Sequence, residues 1–184
     1  TMGYAIAKAA ASRGATVTLV SGPTQLSTPV HVERVDIRSA QDMFEAVTSR
    51  FDQQDIVIKA AAVADYCPAV QAEEKMKKSG DDLALELVRT QDILAWLGQH
   101  KAPGQFLCGF SMETQDMVEN SRKKLEKKNL DLIAANNLKQ EGAGFGTATN
   151  VLTLIDHQET VELPLMSKEA AAHALLDRIL EKRS

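Results

Sequence analysis

The sequence predicts an α/β fold in which helices cover both faces of a doubly wound, mostly parallel β-sheet. Strand-like and helical segments alternate along the first third of the chain, as in βαβ units. Hydrophobic residues make up 44% of the 184 residues, but aromatic residues only 4%. A core of Ala, Val, Leu and Ile is typical of helices that pack on a parallel sheet. We therefore expect one domain that spans residues 1–184.

The first third of the chain supplies the alternation. Gly14 stands where a left-handed C-cap would end the opening helix. Ser39 and Asp42 are spaced as the cap of the next helix. Right-handed crossovers would place the strands around these helices in one parallel sheet. The predicted elements are a helix that ends at Gly14, strands at 16–20 and 30–37, a helix from Ser39 to about Phe51, and a strand at 55–62.

The rest of the chain continues the α/β pattern and closes with a hairpin and a helix. Ser167 is placed to cap this final helix, whose inward face would carry Ala171, Leu175, Leu176 and Ile179. The other predicted elements are a polar loop at 71–80, a half-buried strand at 83–88, a short helix from Thr90 through Trp96, a strand at 106–110, a charged helix at 119–128, a strand at 130–135, and hairpin strands at 151–155 and 161–165.

Charge and cysteine content exclude several classes of function. A net charge of -4 argues against a general nucleic-acid or membrane-surface binder, because such proteins need a basic footprint. Cys67 and Cys108 form neither a disulfide framework nor, with the scattered histidines, a metal-ligand pattern. We expect a cytoplasmic protein, with no metal ligands identified.

Small residues and one carboxylate follow the third predicted strand, in Ala60-Ala61-Ala62-Val63-Ala64-Asp65-Tyr66. Ligands of doubly wound sheets bind outside the carboxyl ends of the strands, so this segment is the first candidate site. The alanines would let a ligand approach the backbone, and Asp65 would offer a carboxylate beside it. The alternative is that the alanines serve tight sheet packing and that Asp65 caps a turn.

Two groups of lysines have the charge to bind a polyphosphate. The lysines within 75–78 lie in the polar loop, which has too little apolar content to pack and would be able to close over an anion. Lys124 and Lys128 are four residues apart on a predicted helix, where their charges repel, and an anionic partner would relieve the repulsion. The alternative for both groups is a solvated charged surface.

Six segments together indicate a family. In chain order they are Val20-Ser21-Gly22-Pro23-Thr24, Ala60-Ala61-Ala62-Val63-Ala64-Asp65-Tyr66, Glu74-Lys75-Met76-Lys77-Lys78, Gly109-Phe110 with Glu113-Thr114, Lys124-x-x-x-Lys128-Asn129-Leu130-Asp131, and Gly144-Phe145-Gly146. In this order and spacing they resemble phosphopantothenoylcysteine synthetase over nearly the whole chain. The resemblance is to the bacterial type, usually the carboxy-terminal half of a bifunctional coenzyme A biosynthesis protein with a flavin-dependent decarboxylase half.

The resemblance implies a Rossmann-like ligase that joins 4'-phosphopantothenate to L-cysteine. CTP would activate the substrate carboxylate as an acyl-cytidylate, with Mg²⁺ as the divalent cation. FMN would be present only if the full protein includes a decarboxylase half. The resemblance also implies a homodimer, formed through the strands near 151–165 and the loop of Lys75.

The resemblance assigns the site residues one by one. Lys75 would be catalytic, reaching the phosphates or the activated intermediate. The residues implied in nucleotide binding are Lys59, Ala60, Ala61, Asp65, Lys75, Gln91, Asp92, Ile93, Leu94, Phe110, Lys124 and Lys128.

Two departures from the family pattern stand out. A first strand and a Ser-Asn-x-Ser-Ser-Gly-Lys-x-Gly loop precede the opening helix in the family, whereas Thr1 stands here where the lysine would be. Removal of that strand would leave a hole in the sheet. In addition, Thr90-Gln91-Asp92-Ile93 occupies the place of a frequent Asn-Pro-Asp-Ile.

Two other functions stay open at this point. A nicotinamide-dependent oxidoreductase would need an acidic residue near the end of the strand at 16–20, where Ser21-Gly22 stands. A noncatalytic nucleotide-binding or nucleic-acid-associated module would use the lysines as a basic patch, against which the net negative charge speaks.

Overall fold

A computed structural model describes residues 1–70, 84–113, 116–137 and 149–184, with backbone only at Glu113 and Asn137. Lys75 with its loop, Thr114 and Gly144-Phe145-Gly146 lie outside the described residues. The helices are α1 (Met2–Ser12), α2 (Ala40–Thr48), α3 (Ile93–His100), α4 (Met117–Lys127) and α5 (Lys168–Arg183). The strands are β1 (Val17–Ser21), β2 (Val32–Asp36), β3 (Ile56–Lys59), β4 (Tyr66–Pro68), β5 (Leu87–Arg89), β6 (Phe106–Glu113), β7 (Leu132–Asn137), β8 (Thr149–Asn150), β9 (Leu152–Ile155), β10 (Thr160–Glu162) and β11 (Met166–Ser167).

The central sheet has five strands in the order β10-β9-β7-β6-β3. β3, β6 and β7 run parallel to one another, whereas β9 is antiparallel to β7 and forms a hairpin with β10. A mainly parallel sheet with a C-terminal hairpin confirms the predicted fold class.

Two hydrophobic clusters cover the two faces of this sheet. On one face Ile6 of α1 and Leu175 of α5 pack with Cys108 and Leu132 of the sheet. On the other face α2, α3 and α4 pack on strand residues that include Leu107. Successive strand residues point to opposite faces, so neighbours such as Leu107 and Cys108 serve different clusters. None of the helices within the described ranges has the length and apolar content needed to cross a membrane.

β1 and β2 form a separate parallel pair. β1 faces β3 across a cavity of about 330 Å³, which residues of both strands line together with α1, α2 and α3. We call this cavity the β1–β3 slot. Within the described residues β1 hydrogen-bonds only to β2 and β3 only to β6, which agrees with the hole expected in the sheet without the family's first strand. The slot lies where the family pattern places an additional strand.

Local capping explains where the helices begin and end. Gly14 follows α1 with φ +87°, as the predicted C-cap requires. Ser39 Oγ accepts a hydrogen bond from Asp42 N–H, and the Asp42 carboxylate accepts one from Ser39 N–H. These two bonds form the capping box of α2. Asp92 caps α3 and Ser167 caps α5 through their side chains. α2 ends at Thr48, short of the predicted Phe51, which begins a 3₁₀ turn.

The prediction of a half-buried strand at 83–88 is wrong. β5 begins at Leu87 and pairs with β4 in a two-stranded ribbon that is separate from the central sheet. Leu85 and Leu87 therefore remain 59% and 55% exposed, although their alternating spacing suggested burial.

Candidate nucleotide-binding site

The carboxyl ends of β3 and β6 meet at one edge of the sheet. Lys59, the last residue of β3, lies opposite Gly109 of β6, and Phe110 follows. Ala60 and Ala61 continue from Lys59 at the same edge. Because ligands of open α/β sheets bind outside the carboxyl ends of the strands, these residues are placed to contact one.

A close contact brings the start of α3 to this edge. A Cβ added to Gly109 would lie 2.9 Å from Leu94 Cδ1, so a larger residue there would require this leucine side chain of α3 to shift. At the start of α3, Asp92 Oδ1 accepts a hydrogen bond from Ala95 N–H at 3.1 Å. The segment 91–94 thus lies beside the end of β3.

The loop that carries Asp65 is tied to the residue that precedes this segment. Thr90 Oγ1 donates to Ala64 O at 2.6 Å, and Thr90 N–H donates to Asp65 O at 2.9 Å. These two bonds hold the exposed Asp65 beside Gln91 and Asp92. The departure from the family pattern at Thr90 therefore has a structural use here.

Four of the predicted residues form one electrostatic group. Lys128 Nζ lies 2.9 Å from Asp92 Oδ2, and Lys59 Nζ donates to Ala61 O at 3.1 Å. Burial is the main cause that lowers the pKa of Lys59, and the Lys128 ammonium lowers it further, whereas Asp92 and Asp65 raise it. Burial raises the pKa of Asp92, but hydrogen bonds from Lys128 and Ala95 N–H outweigh it and leave that pKa below its usual value. A polyphosphate would therefore meet two ammonium groups and could displace Asp92 from Lys128.

The turn after α4 fixes Lys128. Asn129 has φ +52° and donates from Nδ2 to Gly98 O at 2.8 Å. A Cβ on Gly98 would lie only 1.8 Å from Lys128 O, so α3 and this turn can touch only because residue 98 is glycine. Lys101 Nζ donates hydrogen bonds to Asn129 O at 3.1 Å and to Asp131 Oδ1 at 2.9 Å. The position of Lys128 thus depends on Gly98, Asn129 and Lys101.

Other predicted residues occupy different environments. Lys124 lies in the last turn of α4, and Lys128 N–H donates to its carbonyl at 3.0 Å, which keeps the helical spacing. Ile93 and Leu94 are only 2% and 7% exposed. Their side chains belong to the core, so the backbone N–H groups of this first helical turn are what they can offer a nucleotide. Phe110 is half-buried.

A second, smaller cavity adjoins these residues. Its volume is about 150 Å³, and it lies between the start of α1 and the carboxyl ends of β3, β6 and β7. We call it the helix-end cavity. Its lining residues are Thr1, Met2, Gly3, Ala60, Ala61, Ala62, Phe110, Met112, Asn136, Asn150 and Lys168. Since Ala60, Ala61 and Phe110 are also predicted nucleotide contacts, the cavity is continuous with the candidate site.

Sequence reasoning missed three residues of this region. Gly98 gave no signal, because a glycine inside a helix reveals its contact only in three dimensions. Asn129 gave a weak sequence signal, because asparagine tolerates a positive φ after a helix. Asn136 directly follows the predicted strand at 130–135, and its place after a strand was the signal that could have marked it as a candidate. In the described residues no group of three or more His, Cys, Asp or Glu side chains is arranged to hold a metal ion.

The fold and this edge of the sheet define an α/β domain with a candidate ligand site at the carboxyl ends of parallel strands. The family model of the DNA/pantothenate metabolism flavoprotein C-terminal domain matches residues 1–182. The chain belongs to this family.

Named proteins and solved structures agree with this membership. The chain is similar to the coenzyme A biosynthesis bifunctional protein CoaBC of Bacillus subtilis (strain 168), with 50% identity over 97% of this chain and 44% of the relative. It is 42% identical to the crystal structure of the C-terminal domain of a CoaBC protein, with a TM-score of 0.81 over 97% of this chain and 80% of that one.

A more distant structure shares the fold. A Cab2 variant in complex with phosphopantothenate-cysteine has 14% identity and a TM-score of 0.74 over 100% of this chain and 77% of that one. The chain spans half or less of the length of the curated relatives it matches, 45% and 44% of the first two.

Proposed function

We propose that this domain is a phosphopantothenoylcysteine synthetase, which uses CTP to join 4'-phosphopantothenate to L-cysteine. The observation that carries the proposal is the group of Lys59, Asp65, Asp92 and Lys128 at the carboxyl end of β3. Two further findings support it: the B. subtilis relative is a coenzyme A biosynthesis protein, and the Cab2 structure holds phosphopantothenate-cysteine.

The reaction would proceed in two steps. The carboxylate of 4'-phosphopantothenate attacks the α-phosphate of CTP and forms an acyl-cytidylate, with pyrophosphate as leaving group. The amine of cysteine then attacks the acyl carbon, the bond to CMP breaks, and the amine loses a proton as the amide forms. The mixed anhydride replaces a poor acyl donor by one with a good leaving group, so the protein's main task is to align charged groups.

The described residues suit this task. Lys59 and Lys128 would bind the phosphates as point charges, and their interaction would strengthen in a site that excludes water. Asp65 would accept hydrogen bonds from the nucleotide. Lys124, Gln91 and Phe110 would complete the nucleotide site, and Lys75 would act from the loop outside the described residues.

The divalent cation would accompany the triphosphate. Mg²⁺ commonly binds through substrate phosphates, waters and one or two carboxylates, which fits an edge whose carboxylates are Asp65 and Asp92. When bound, it would neutralise charge that develops on the phosphates. FMN has no part in the proposal for this domain.

A homodimer and a cytoplasmic location belong to the same proposal. The β4–β5 ribbon, which flanks the loop of Lys75, exposes large apolar side chains that include Tyr66, Leu87 and Val88. A second copy of the chain would cover them. Light scattering of the purified domain measures this association. Two cysteines without a disulfide accord with a reducing compartment.

The other two functions receive less support. Ser21 ends β1, where a dinucleotide-binding oxidoreductase carries an acidic residue, and its hydroxyl pairs with Tyr4 Oη at 2.8 Å instead. Among the described site lysines, Lys128 is paired with Asp92, which is unlike a basic patch for nucleic acid.

Pyrophosphate release tests the proposed function. The domain, and a version that carries the family's glycine-rich loop ahead of residue 1, are given 4'-phosphopantothenate with CTP, ATP or no nucleotide, each with and without cysteine. We expect release that requires 4'-phosphopantothenate and prefers CTP. Absence of release from both folded proteins would contradict the synthetase proposal.

A further inference from the structure

The loop between β3 and β4 has few side chains that could fix its conformation. Residues 60–65 belong to neither strand, and three of the alanines in this loop are exposed. An alanine side chain buries too little apolar surface to anchor a loop. Val63 is partly buried and packs against the hydrophobic cluster that includes residues of α3. The conformation at Asp65, two residues further along, therefore depends on hydrogen bonds to another part of the chain.

Thr90 supplies two such hydrogen bonds. Its N–H donates to Asp65 O at 2.9 Å and continues the ladder that pairs Tyr66 with Arg89. Its hydroxyl donates to Ala64 O at 2.6 Å. Any residue except proline could form the backbone bond, whereas the second bond needs a side-chain donor. The hydroxyl is therefore the part of Thr90 that makes this residue type useful here.

Thr90 is itself attached to the core. It stands two residues before Asp92, the N-cap of α3, and the first turn of that helix is buried at Ile93 and Leu94. Through Thr90 the loop of Asp65 is thus tied to a helix that packs on the central sheet. Functional side chains on loops are commonly held in this way by a rigid element.

The place of the Asp65 carboxylate matters for a site lysine. Burial is the main cause that lowers the pKa of Lys59, and Lys128 at the end of α4 lowers it further. Asp92 at the start of α3 and Asp65 act in the opposite direction and raise it. Because the attraction between two charges weakens with distance, a displaced Asp65 would support the Lys59 ammonium less.

We propose that Thr90 is a positioning residue, whose hydroxyl holds the Asp65 carboxylate where it acts on Lys59 and meets the nucleotide. The hydroxyl acts through Ala64 O and does not itself touch the ligand. This inference rests on the proposed function for the identity of the nucleotide.

Two substitutions isolate the hydroxyl. Thr90→Val keeps the shape of the side chain and removes the donor, whereas Thr90→Ser keeps the donor. Titration calorimetry measures the affinity of each variant for a nonhydrolysable CTP analogue. We expect Thr90→Val to bind about tenfold more weakly than wild type, and Thr90→Ser to stay within about twofold of it. Wild-type affinity in Thr90→Val would overturn the proposal.

A double-mutant cycle with Asp65→Asn tests whether Thr90 acts through Asp65. Asp65→Asn alone should weaken binding about tenfold. Thr90→Val should then add less than about twofold, because no carboxylate is left to position. Independent effects would instead multiply to about a hundredfold, and this result would overturn the proposal.

Thr48→Val is the matched control. Thr48 Oγ1 also donates to a backbone carbonyl, Phe44 O at 2.8 Å, but it lies on α2 and lines neither cavity. Its substitution should leave the affinity for the CTP analogue unchanged. Both valine variants should lower the melting temperature by less than about 4 °C. A much larger loss in Thr90→Val, not restored in Thr90→Ser, would assign Thr90 a structural role and overturn the proposal.

A last readout needs no nucleotide. NMR of the lysine side chains follows the loss of the Lys59 proton as pH rises, with Lys59→Arg to assign the signal. We expect Lys59 to lose this proton at a lower pH in Thr90→Val than in wild type or Thr48→Val. An unchanged titration in Thr90→Val would overturn the proposal. A shifted titration in a domain that binds no nucleotide would contradict the proposed function and leave the positioning of Asp65 by Thr90 intact.

Discussion

Lys59 ends a strand with its ammonium group partly withdrawn from water. Burial and the neighbouring Lys128 both lower its pKa, so Lys59 loses its proton at a lower pH than an exposed lysine does. An anionic ligand acts in the opposite direction and restores the charged form. If the proposed function holds, Lys59 would couple nucleotide binding to the uptake of a proton.

This coupling predicts how CTP affinity depends on pH. The protonated form binds the phosphates, so the contribution of Lys59 is complete below its folded pKa and is lost as pH rises through that pKa, which lies below 10.5. We expect affinity for CTP to fall about tenfold as pH rises through this pKa, and to begin to fall at a lower pH than an exposed lysine would cause. Lys59→Arg should remove most of this fall, because arginine stays charged.

Calorimetry in buffers of different ionisation enthalpy measures both the affinity and the proton taken up. Lys8→Arg is a matched control, since Lys8 lies on exposed α1 surface and pairs with Glu169. An equal fall in Lys59→Arg and wild type would show that another group is responsible.

Individual site residues differ in how far the sequence could predict them. Asp92 has a local signature, because its helix cap lies within three residues of it. The burial of Lys59 and the unpaired Oδ1 of Asn136 arise from elements distant in sequence, so no local pattern records them. Lys128 was predicted as one of two like charges that repel, but its pair with Asp92 depends on how α3 meets α4.

At the scale of elements, the contact of α3 with the turn after α4 organises the site. Gly98 allows this contact, since a Cβ there would collide with Lys128 O at 1.8 Å. Gly98→Ala should therefore push the turn away from α3. We expect a loss of about 1–3 kcal/mol in the free energy of unfolding and weaker CTP binding through Lys128.

Gly3→Ala is the control for this substitution. It also places alanine in a helix, but the new Cβ would lie 3.7 Å from Ala60 Cβ, an ordinary contact. Urea unfolding should find this variant equal to or more stable than wild type, by up to about 1 kcal/mol, because alanine favours helix. Equal stability of Gly98→Ala and Gly3→Ala would exclude the close contact.

The elements themselves were predictable where capping and periodicity agree. α2 and α5 begin at serine caps that the sequence announces. The prediction of a half-buried strand at 83–88 was wrong because alternating apolar and polar residues indicate that a strand has two different faces. The alternation does not indicate which element packs on the apolar face. β4 and β5 pair with each other in a separate ribbon and are not part of the central sheet.

At the scale of the whole molecule, a buried ionic group joins the C-terminal hairpin to α5. Asp156, which is 4% exposed, accepts from Gln158 N–H and Glu159 N–H, each at 2.8 Å. Arg178 Nη2 donates to Asp156 Oδ2 at 2.8 Å and also pairs with Glu159. Burial raises the pKa of Asp156, but these hydrogen bonds outweigh it and hold the pKa at about 2.

The stability of the domain should depend on pH through Asp156. A carboxyl with a lowered folded pKa stabilises the native state above its unfolded pKa of 3.8, and this stabilisation is lost as pH falls toward about 2. The shift corresponds to about 2 kcal/mol at neutral pH. Asp156→Asn should lose at least this amount, measured by urea unfolding at neutral pH, and should show a flatter decline below about pH 4.

Asp177→Asn provides the comparison on the same helix. Asp177 pairs with Arg13 but has a 69% exposed side chain, so its removal should cost less than about 1 kcal/mol. A loss in Asp177→Asn as large as that in Asp156→Asn would contradict the importance of burial.

The sequence predicted the layers of the fold better than it predicted which strands pair. Alternating strands and helices with few aromatic residues are enough to predict a parallel sheet with two covered faces. They do not determine which strands hydrogen-bond to each other. The separation of β1 and β2 from the central sheet was therefore expected only from the family pattern, and not from the alternation of strands and helices.

The β1–β3 slot has a consequence for peptide binding. Along it, β1 and β3 line the same cavity but form no hydrogen bonds with each other. Strand edges of this kind are templates for pairing with a further extended strand. A short extended peptide with alternating apolar residues should therefore bind to residues 1–184 along the slot.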